Sequence, residues 1–343
     1  MKFLTIFKYD GFMAKSKLTL RQIALKTKQR QQHLLAGMDT STSDSNQNKT
    51  GRVISLYGLE ADVESPEGKI YRCKLRKHFE PIVVGDSVIW QPLNDTDGVI
   101  EALMLRRTLL YRPGKDGKHK PIAANIDNAF IVIAPKPKPA FQLLDSYLVM
   151  METLHLKPVI VLNKMDLLSS SEKKEFEEWL SIYSQLSYPI LQVSAINGEG
   201  VNNMKSYLNG QCSILVGQSG VGKSSLLQSL LPGHHIKVGI KTEHIHGLHT
   251  TTAARLFHLS SGGDIIDTPG VRDFILWNMK STEIAAGFIE FREFLGLCRF
   301  NNCIHFSSLD CALQKALEKG KISQQRYKSY QRMLEFALSK EKW

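Results

Sequence analysis

Two short motifs stand in an order that constrains the whole chain. Asn163-Lys164-Met165-Asp166 precedes Gly217-Gln218-Ser219-Gly220-Val221-Gly222-Lys223-Ser224-Ser225. The later segment has the spacing of a phosphate-binding loop. Its glycines let backbone N–H groups turn inward around phosphate oxygens, and the run Ser225 to Leu231 behind it has a helical pattern. In the earlier segment a carboxylate at Asp166 can accept both N1–H and the exocyclic amine of guanine, a pair of donors that adenine lacks. In an ordinary guanine-nucleotide domain the phosphate loop comes first and the base reader last. The reversed order implies a domain whose chain has been cut and rejoined elsewhere.

The surrounding pattern supports such a domain. Continuous apolar runs at Ala129–Ala134 and Pro158–Leu162 read as strands buried on both faces, and the base reader closes the second. Ile190–Val193 and Ser213–Val216 read as further strands, the latter running straight into the phosphate loop. Helical spacing at Phe141–His155, Glu172–Leu186 and Val201–Leu208 alternates with them. This alternation predicts a doubly wound parallel sheet with ligand loops at the C-terminal strand ends. Upstream, Arg52–Tyr57, Ile70–Leu75, Ser87–Trp90 and Gly98–Leu103 are short β-rich runs punctuated by Gly, Pro, Asn and Asp. They suit a five-stranded oligonucleotide-binding (OB) barrel. The expected organisation is a basic extension and linker over residues 1–50, an OB-fold barrel over 51–113, a circularly permuted nucleotide domain over 114–282 and a helical region over 283–343.

Specific side chains follow from these settings. Lys223 is placed to reach the β- and γ-phosphates, and Ser224 to ligate magnesium. Asp267-Thr268-Pro269-Gly270 follows the apolar Ile265-Ile266; Asp267 would hold the same ion, and the Gly270 amide would sense the γ-phosphate. Ser194-Ala195 ends a strand and could present a backbone N–H to guanine O6. Between the phosphate loop and Asp267, Thr250 or Thr251 must supply a hydroxyl to the ion, with Thr251 preferred. Val271 stands where a water-orienting glutamine is common, and an apolar side chain cannot orient water. His249 is the candidate replacement, with a structural loop histidine as the alternative. His234, His235, His244 and His246 have spacings that fit no standard metal site. Cys298, Cys303, His305 and Cys311 do: three thiolates and one imidazole describe a closed structural zinc site. Unpaired buried cysteines are the alternative there, and Cys73 and Cys212 read as ordinary apolar residues.

Of 343 residues, 43% are hydrophobic and 22% charged, which is ordinary for a multidomain globular chain. Five cysteines in this length do not make a disulfide framework. The formal charge of +11 points to a polyanionic partner, with nucleic acid leading. Lys15, Lys17, Arg21, Lys26, Lys28 and Arg30 crowd the N-terminal region with almost no acids between them. No segment is long and apolar enough to span a membrane. The opening run Met1–Phe7 resembles a signal peptide but is interrupted by Lys8 and Asp10. Met13-Ala14-Lys15-Ser16-Lys17 reads as the more natural start, and the expected location is the cytoplasm.

Taken together, the order Asn-Lys-x-Asp, Ser-Ala, phosphate loop, His-Thr-Thr-Thr, Asp-Thr-Pro-Gly-Val-Arg and Cys/Cys/His/Cys resembles the RsgA (YjeQ/YloQ) family of circularly permuted, ribosome-associated GTPases. The resemblance runs from about residue 15 onward. It implies a multidomain α/β fold: an N-terminal OB-type barrel, a circularly permuted P-loop GTPase and a C-terminal helical zinc-binding domain. It also implies a monomer that binds GTP or GDP with Mg²⁺ and carries one structural Zn²⁺. Such a protein would bind the small ribosomal subunit and its rRNA late in maturation, with hydrolysis stimulated by the subunit and nucleotide state coupled to release. Leu248 stands where the resemblance implies a polar or basic residue in many relatives. Without the resemblance, the residues also allow a scaffold that holds GTP as a structural ligand, or a GTPase acting on another RNA such as tRNA.

Overall fold

The computed structural model describes residues 48–76, 80–113, 119–232, 254–268, 279–306 and 310–340. The chain divides into two compact units. The first holds strands β1 (Lys49–Tyr57), β2 (Glu60–Glu64), β3 (Ile70–Lys74), β4 (Ser87–Pro92) and β5 (Asp97–Leu103). They pair in the order β1-β2-β3-β5-β4, and β4 returns to β1, so the sheet closes. The β3–β5 pairing is parallel, whereas β1–β2, β2–β3, β4–β5 and β1–β4 are antiparallel. Period-two alternation drives the closure: Ala61 and Val63 of β2 and Tyr71 and Cys73 of β3 point inward, and their charged neighbours outward. The core gathers these with Val53, Val88, Trp90 and Ile100. Gly98 is required beside Trp90, because a Cβ there would lie 2.7 Å from the indole.

In the second unit, β6 (Leu109–Pro113) and β7 (His119–Ala124) form an antiparallel ribbon of their own. The closed barrel therefore has β5 as its last strand, and the range expected for it, to residue 113, takes in one strand of the ribbon. The α/β region follows: β8 (Asn128–Ile133), α1 (Phe141–Thr153), β9 (Lys157–Leu162), α2 (Ser170–Gln185), β10 (Ile190–Gln192), α3 (Val201–Leu208), β11 (Cys212–Val216), α4 (Lys223–Leu230), β12 (Arg255–His258) and β13 (Asp264–Asp267). The strands stand in the order β10-β9-β8-β11-β13-β12. All these neighbours are parallel except β12, which runs antiparallel to β13. Every residue of β8 and β11 is buried, as strands covered on both faces require. From β8 the chain steps outward to β9 and β10, then returns to β11 on the other flank of β8. The crevice at the C-terminal ends of β8 and β11 is thus a topological switch point, where doubly wound sheets bind ligands.

The C-terminal helices α5 (Ser281–Gly287), α6 (Ala312–Glu318) and α7 (Gln324–Lys340) share one core with Val149 of α1. Ser323 starts α7 by accepting the N–H of Arg326 at its hydroxyl, 3.1 Å away. Arg326, Tyr327, Tyr330, Met333 and Leu334 then form its buried stripe at helical spacing. Within that stripe Arg326 is fully buried. Its Nη1 donates to Asp145 Oδ1 of α1 at 2.6 Å, and Nε and Nη2 donate to the two carboxylate oxygens of Glu290 at 2.7 and 3.0 Å. The Tyr183 hydroxyl donates to the same Asp145 oxygen at 2.9 Å. Burial raises the Asp145 carboxyl above its ordinary range; the Arg326 charge and the hydrogen bonds from Ser329, Arg326 and Tyr183 oppose this. Burial alone would lower Arg326, but the Asp145 charge and the bonds and charge of Glu290 outweigh it and leave the guanidinium raised. Asp145 Oδ1 is thus shared by two donors, whereas its Oδ2 is buried without a hydrogen-bond partner. Among the described residues no helix is long and apolar enough to cross a membrane.

Arg326→Met would leave two buried carboxyls without their counter-charge. The expected loss is about 3–5 kcal/mol of unfolding free energy in urea titration. Arg292→Ala, which removes the more exposed bond to Glu152, should cost less than about 1 kcal/mol.

Candidate nucleotide site and metal centre

The phosphate loop leaves β11 through Gly217 and enters α4 at Lys223, capped by Gly222 in the left-handed region. Gln218, Lys223, Ser224 and Ser225 are half-buried, Ser219 and Gly220 exposed, and Val221 buried. The Lys223 ammonium donates to the carbonyls of Gly217 and Gln218, both at 2.6 Å, so it lies folded onto its own loop. Asp267 ends β13, the parallel neighbour of β11. Burial raises its carboxyl above the ordinary carboxylate range, and the charge of Lys223 pulls it back.

The base-reading segment ends β9. Asn163 is 1% exposed, and its side chain spans two loops. Its Nδ2 donates to the Val221 carbonyl at 2.9 Å, and its Oδ1 accepts the Ala195 N–H at 3.2 Å. Gly222 is the residue that lets it in: a Cβ there would lie 2.3 Å from Asn163 Nδ2. Lys164 adopts the left-handed conformation, φ 64°. Its Nζ donates to the Gly220 carbonyl at 2.6 Å and to the Lys136 carbonyl at 2.9 Å. Met165 is buried in the 3-10 turn Met165–Leu167, and Asp166 Oδ1 accepts the Ser194 hydroxyl at 2.6 Å.

The structure therefore brings Asn163, Lys164, Asp166, Ser194 and Ala195 together with Gly220, Val221 and Gly222. Asp267 is near enough to Lys223 for its charge to be felt. His249, Thr250, Thr251 and Gly270 lie outside the described residues. Sequence reading missed the segment after β8, where Lys136 gives its carbonyl to Lys164. The signal was available: this segment follows a buried strand at the switch point.

Cys298, Cys303, His305 and Cys311 place one donor atom each within 4.8 Å of one another. His305 Nδ1 is 3.3, 3.5 and 3.6 Å from the sulfurs of Cys298, Cys303 and Cys311, and Cys298 Sγ is 3.9 Å from Cys311 Sγ. A tetrahedral zinc site has S–N and S–S edges of about 3.6 and 3.8 Å, so the donor set fits that ion. The Ala312 N–H donates to Cys298 Sγ at 3.3 Å, as bonds that favour a thiolate do. His305 sits at φ 60°, a costly conformation for a non-glycine residue. Tyr327 and Tyr330 hold it there: their hydroxyls donate to the carbonyls of His305 and Ile304 at 2.7 and 2.6 Å. Burial pushes the Cys311 thiol up to about 11, and burial lowers the His305 imidazole.

A phosphate loop and a base reader converging at the switch point, in reversed chain order, define a circularly permuted P-loop GTPase. The family model described as RsgA GTPase matches residues 103–277. A Pseudomonas aeruginosa protein named small ribosomal subunit biogenesis GTPase RsgA is 46% identical over 287 residues, 83% of this chain and 85% of its own. A Haemophilus influenzae protein of the same name is 42% identical over 332 residues, covering 94% of this chain and 96% of its own. The crystal structure of YjeQ from Thermotoga maritima superposes with a TM-score of 0.72 at 35% identity, over 85% of this chain and 99% of that one. That of YloQ, a circularly permuted GTPase, gives 0.70 at 25% identity over 88% and 99%. This chain belongs to the RsgA GTPase family and is a GTP hydrolase.

The raised Asp267 carboxyl has a consequence for stability. Above its folded pKa the apo protein bears the cost of ionising a half-buried acid; below the unfolded value that cost is gone. Asp267→Asn should therefore raise the apo melting temperature at pH 7. The gain should shrink as pH falls through the raised pKa and vanish below the ordinary carboxylate range, as followed by calorimetry across pH.

Proposed function

We propose that this protein matures the small ribosomal subunit, hydrolysing GTP while bound there and coupling the change to GDP with release from rRNA. The observation that carries the reading is the likeness to relatives of that name over 83% to 94% of the chain. The formal charge of +11 suits a phosphate-rich partner. The cytoplasm is the setting we assign.

In this reading Asp166 accepts the two guanine donors, and the Ala195 N–H turns from Asn163 to guanine O6. Lys223 leaves the Gly217 and Gln218 carbonyls for the β- and γ-phosphates, a short swing because its ammonium is already within the loop. Ser224, Asp267 and Thr251 hold the Mg²⁺ that arrives with the nucleotide, with Thr250 beside them. The half-buried Asp267 carboxyl and the Ser224 hydroxyl at the head of α4 form an oxygen donor set that suits this hard ion. Magnesium, once bound, neutralises charge on the β- and γ-oxygens. The Gly270 amide senses the γ-phosphate. His249 orients the attacking water, since Val271 offers no polar atom for that work.

Multiple-turnover phosphate release with and without purified small subunits tests the reading. Turnover should rise at least tenfold with the subunit, and His249→Ala should lose most of that rise. Equal rates with small subunits, large subunits and none would overturn the ribosomal assignment.

We assign one structural Zn²⁺ to Cys298, Cys303, His305 and Cys311. The protein purified without chelator should carry one equivalent of zinc by elemental analysis. Cys303→Ser should reduce it, with a lower melting temperature that added zinc does not restore.

A further inference from the structure

The three thiols of the metal centre are not equivalent. Cys298 Sγ lies 3.9 Å from Cys311 Sγ and accepts the N–H of Ala312, the residue after Cys311, at 3.3 Å. Ion pairs draw the same two positions together. Asp310, just before Cys311, accepts from Arg299, just after Cys298, at 3.3 Å, and from Lys315 at 2.9 Å. Cys303 is held locally: its sulfur accepts the N–H of His305, two residues on, at 3.4 Å. By these bonds Cys298 belongs with Cys311, and Cys303 with His305. Exposure separates the thiols again. Cys298 is half-buried, whereas Cys311 is 1% exposed and lies in the core that α5, α6 and α7 share.

A peroxide reaching this centre therefore meets Cys298 with a second sulfur close behind it. A disulfide needs sulfurs about 2.05 Å apart, so the two have about 2 Å to travel between them. We propose that Cys298 and Cys311 are a peroxide-modified pair whose disulfide excludes the metal. Cys298 Sγ attacks one peroxide oxygen, the O–O bond breaks, water leaves and a sulfenic acid remains. Cys311 Sγ then attacks the Cys298 sulfur. The S–S bond forms, the S–O bond breaks, and the hydroxyl leaves as a second water with the Cys311 thiol proton. Two thiols supply the two electrons that reduce one peroxide. The product keeps Cys303 and His305 but lacks two of the four donors that a closed zinc site needs. The centre then holds either an ion or a disulfide. The pairing stands on the sulfur geometry; the exclusion of zinc rests on the assignment of that ion to the quartet proposed above. Cys73 and Cys212 lie elsewhere, buried within β3 and β11.

The test treats the full-length protein, as purified and after metal removal by a chelator, with hydrogen peroxide in about tenfold excess. Mass spectrometry of an unreduced tryptic digest reads the linkage. Cleavage after Arg299 separates Cys298 from Cys303 and Cys311, so fragmentation of the linked peptides identifies its partner. The expected product is one Cys298–Cys311 bond, reversed by dithiothreitol, with Cys73 and Cys212 still reduced. Zinc released to a chromogenic chelator should match the disulfide formed, one ion for each bond. In metal-free protein Cys303→Ser should form the bond as the wild type does, whereas Cys311→Ser should carry Cys298 on to the sulfinic acid. A major bond through Cys303 overturns the proposal, as do sulfinic acids at all three sulfurs without a disulfide. Protein that keeps its zinc under this excess overturns it as well. Protein that forms the Cys298–Cys311 bond but carried no zinc sinks the metal assignment and leaves the pairing standing.

Discussion

The site hangs on one buried amide. Permutation has rearranged which ligand loops follow one another along the chain, so their alignment depends on non-covalent ties. Asn163 supplies two, donating to the phosphate loop at Val221 and accepting from Ala195. Its side chain is 1% exposed, and its bond to the Val221 carbonyl is buried. Losing the side chain would strand that carbonyl, at about 1–3 kcal/mol, whereas the Ala195 N–H is half-buried and can turn to water. Gly222 makes the arrangement possible by having no Cβ where the amide sits. The residue that introduces the base-reading motif thus also sets where the phosphate loop lies relative to it. Lys164 repeats the pattern one residue later, with its ammonium on Gly220 and Lys136.

Helix α1 extends the same logic away from the nucleotide. It starts just beyond the loop whose Lys136 carbonyl Lys164 holds. It carries Asp145, which binds Arg326 of α7. Two residues of α7, Tyr327 and Tyr330, clamp the carbonyls of His305 and Ile304 in the metal centre. The strained φ of His305 is thereby held from outside the cysteine cluster, by phenols on a helix that is itself pinned by a buried ion triad. The four donors are preorganised by the fold, so an ion taken up there would spend little on ordering them.

The parts of this architecture that are legible in the sequence are those encoded locally. The phosphate loop declares itself by glycine spacing, β8 and β9 by unbroken apolar runs, and the thiol–imidazole quartet by its tight grouping. β2 is harder to see, because three of the residues Glu60-Ala61-Asp62-Val63-Glu64 are acids. It holds as a strand because the acids face outward and Arg72 of β3 pairs with Asp62 at 2.7 Å, a partner ten positions away. The β6–β7 ribbon merges in sequence with the barrel strands before it; only its register, Leu109 opposite Ala124, separates them. Arg326 and Asp145 are hidden for a stronger reason. An arginine and an aspartate 181 positions apart give no periodic signal, and each alone reads as a solvated charge. Lys136 escapes notice because it contributes a carbonyl, which every residue has.

The buried triad also limits how nucleotide state can act on the metal-bearing region. Moving α7 against α1 would part Arg326 from Asp145 where both side chains are fully buried, at a cost of about 3–5 kcal/mol. A ligand-driven switch of one to three kcal/mol would not overcome it. Rigid rotation of the C-terminal helices against α1 is therefore disfavoured.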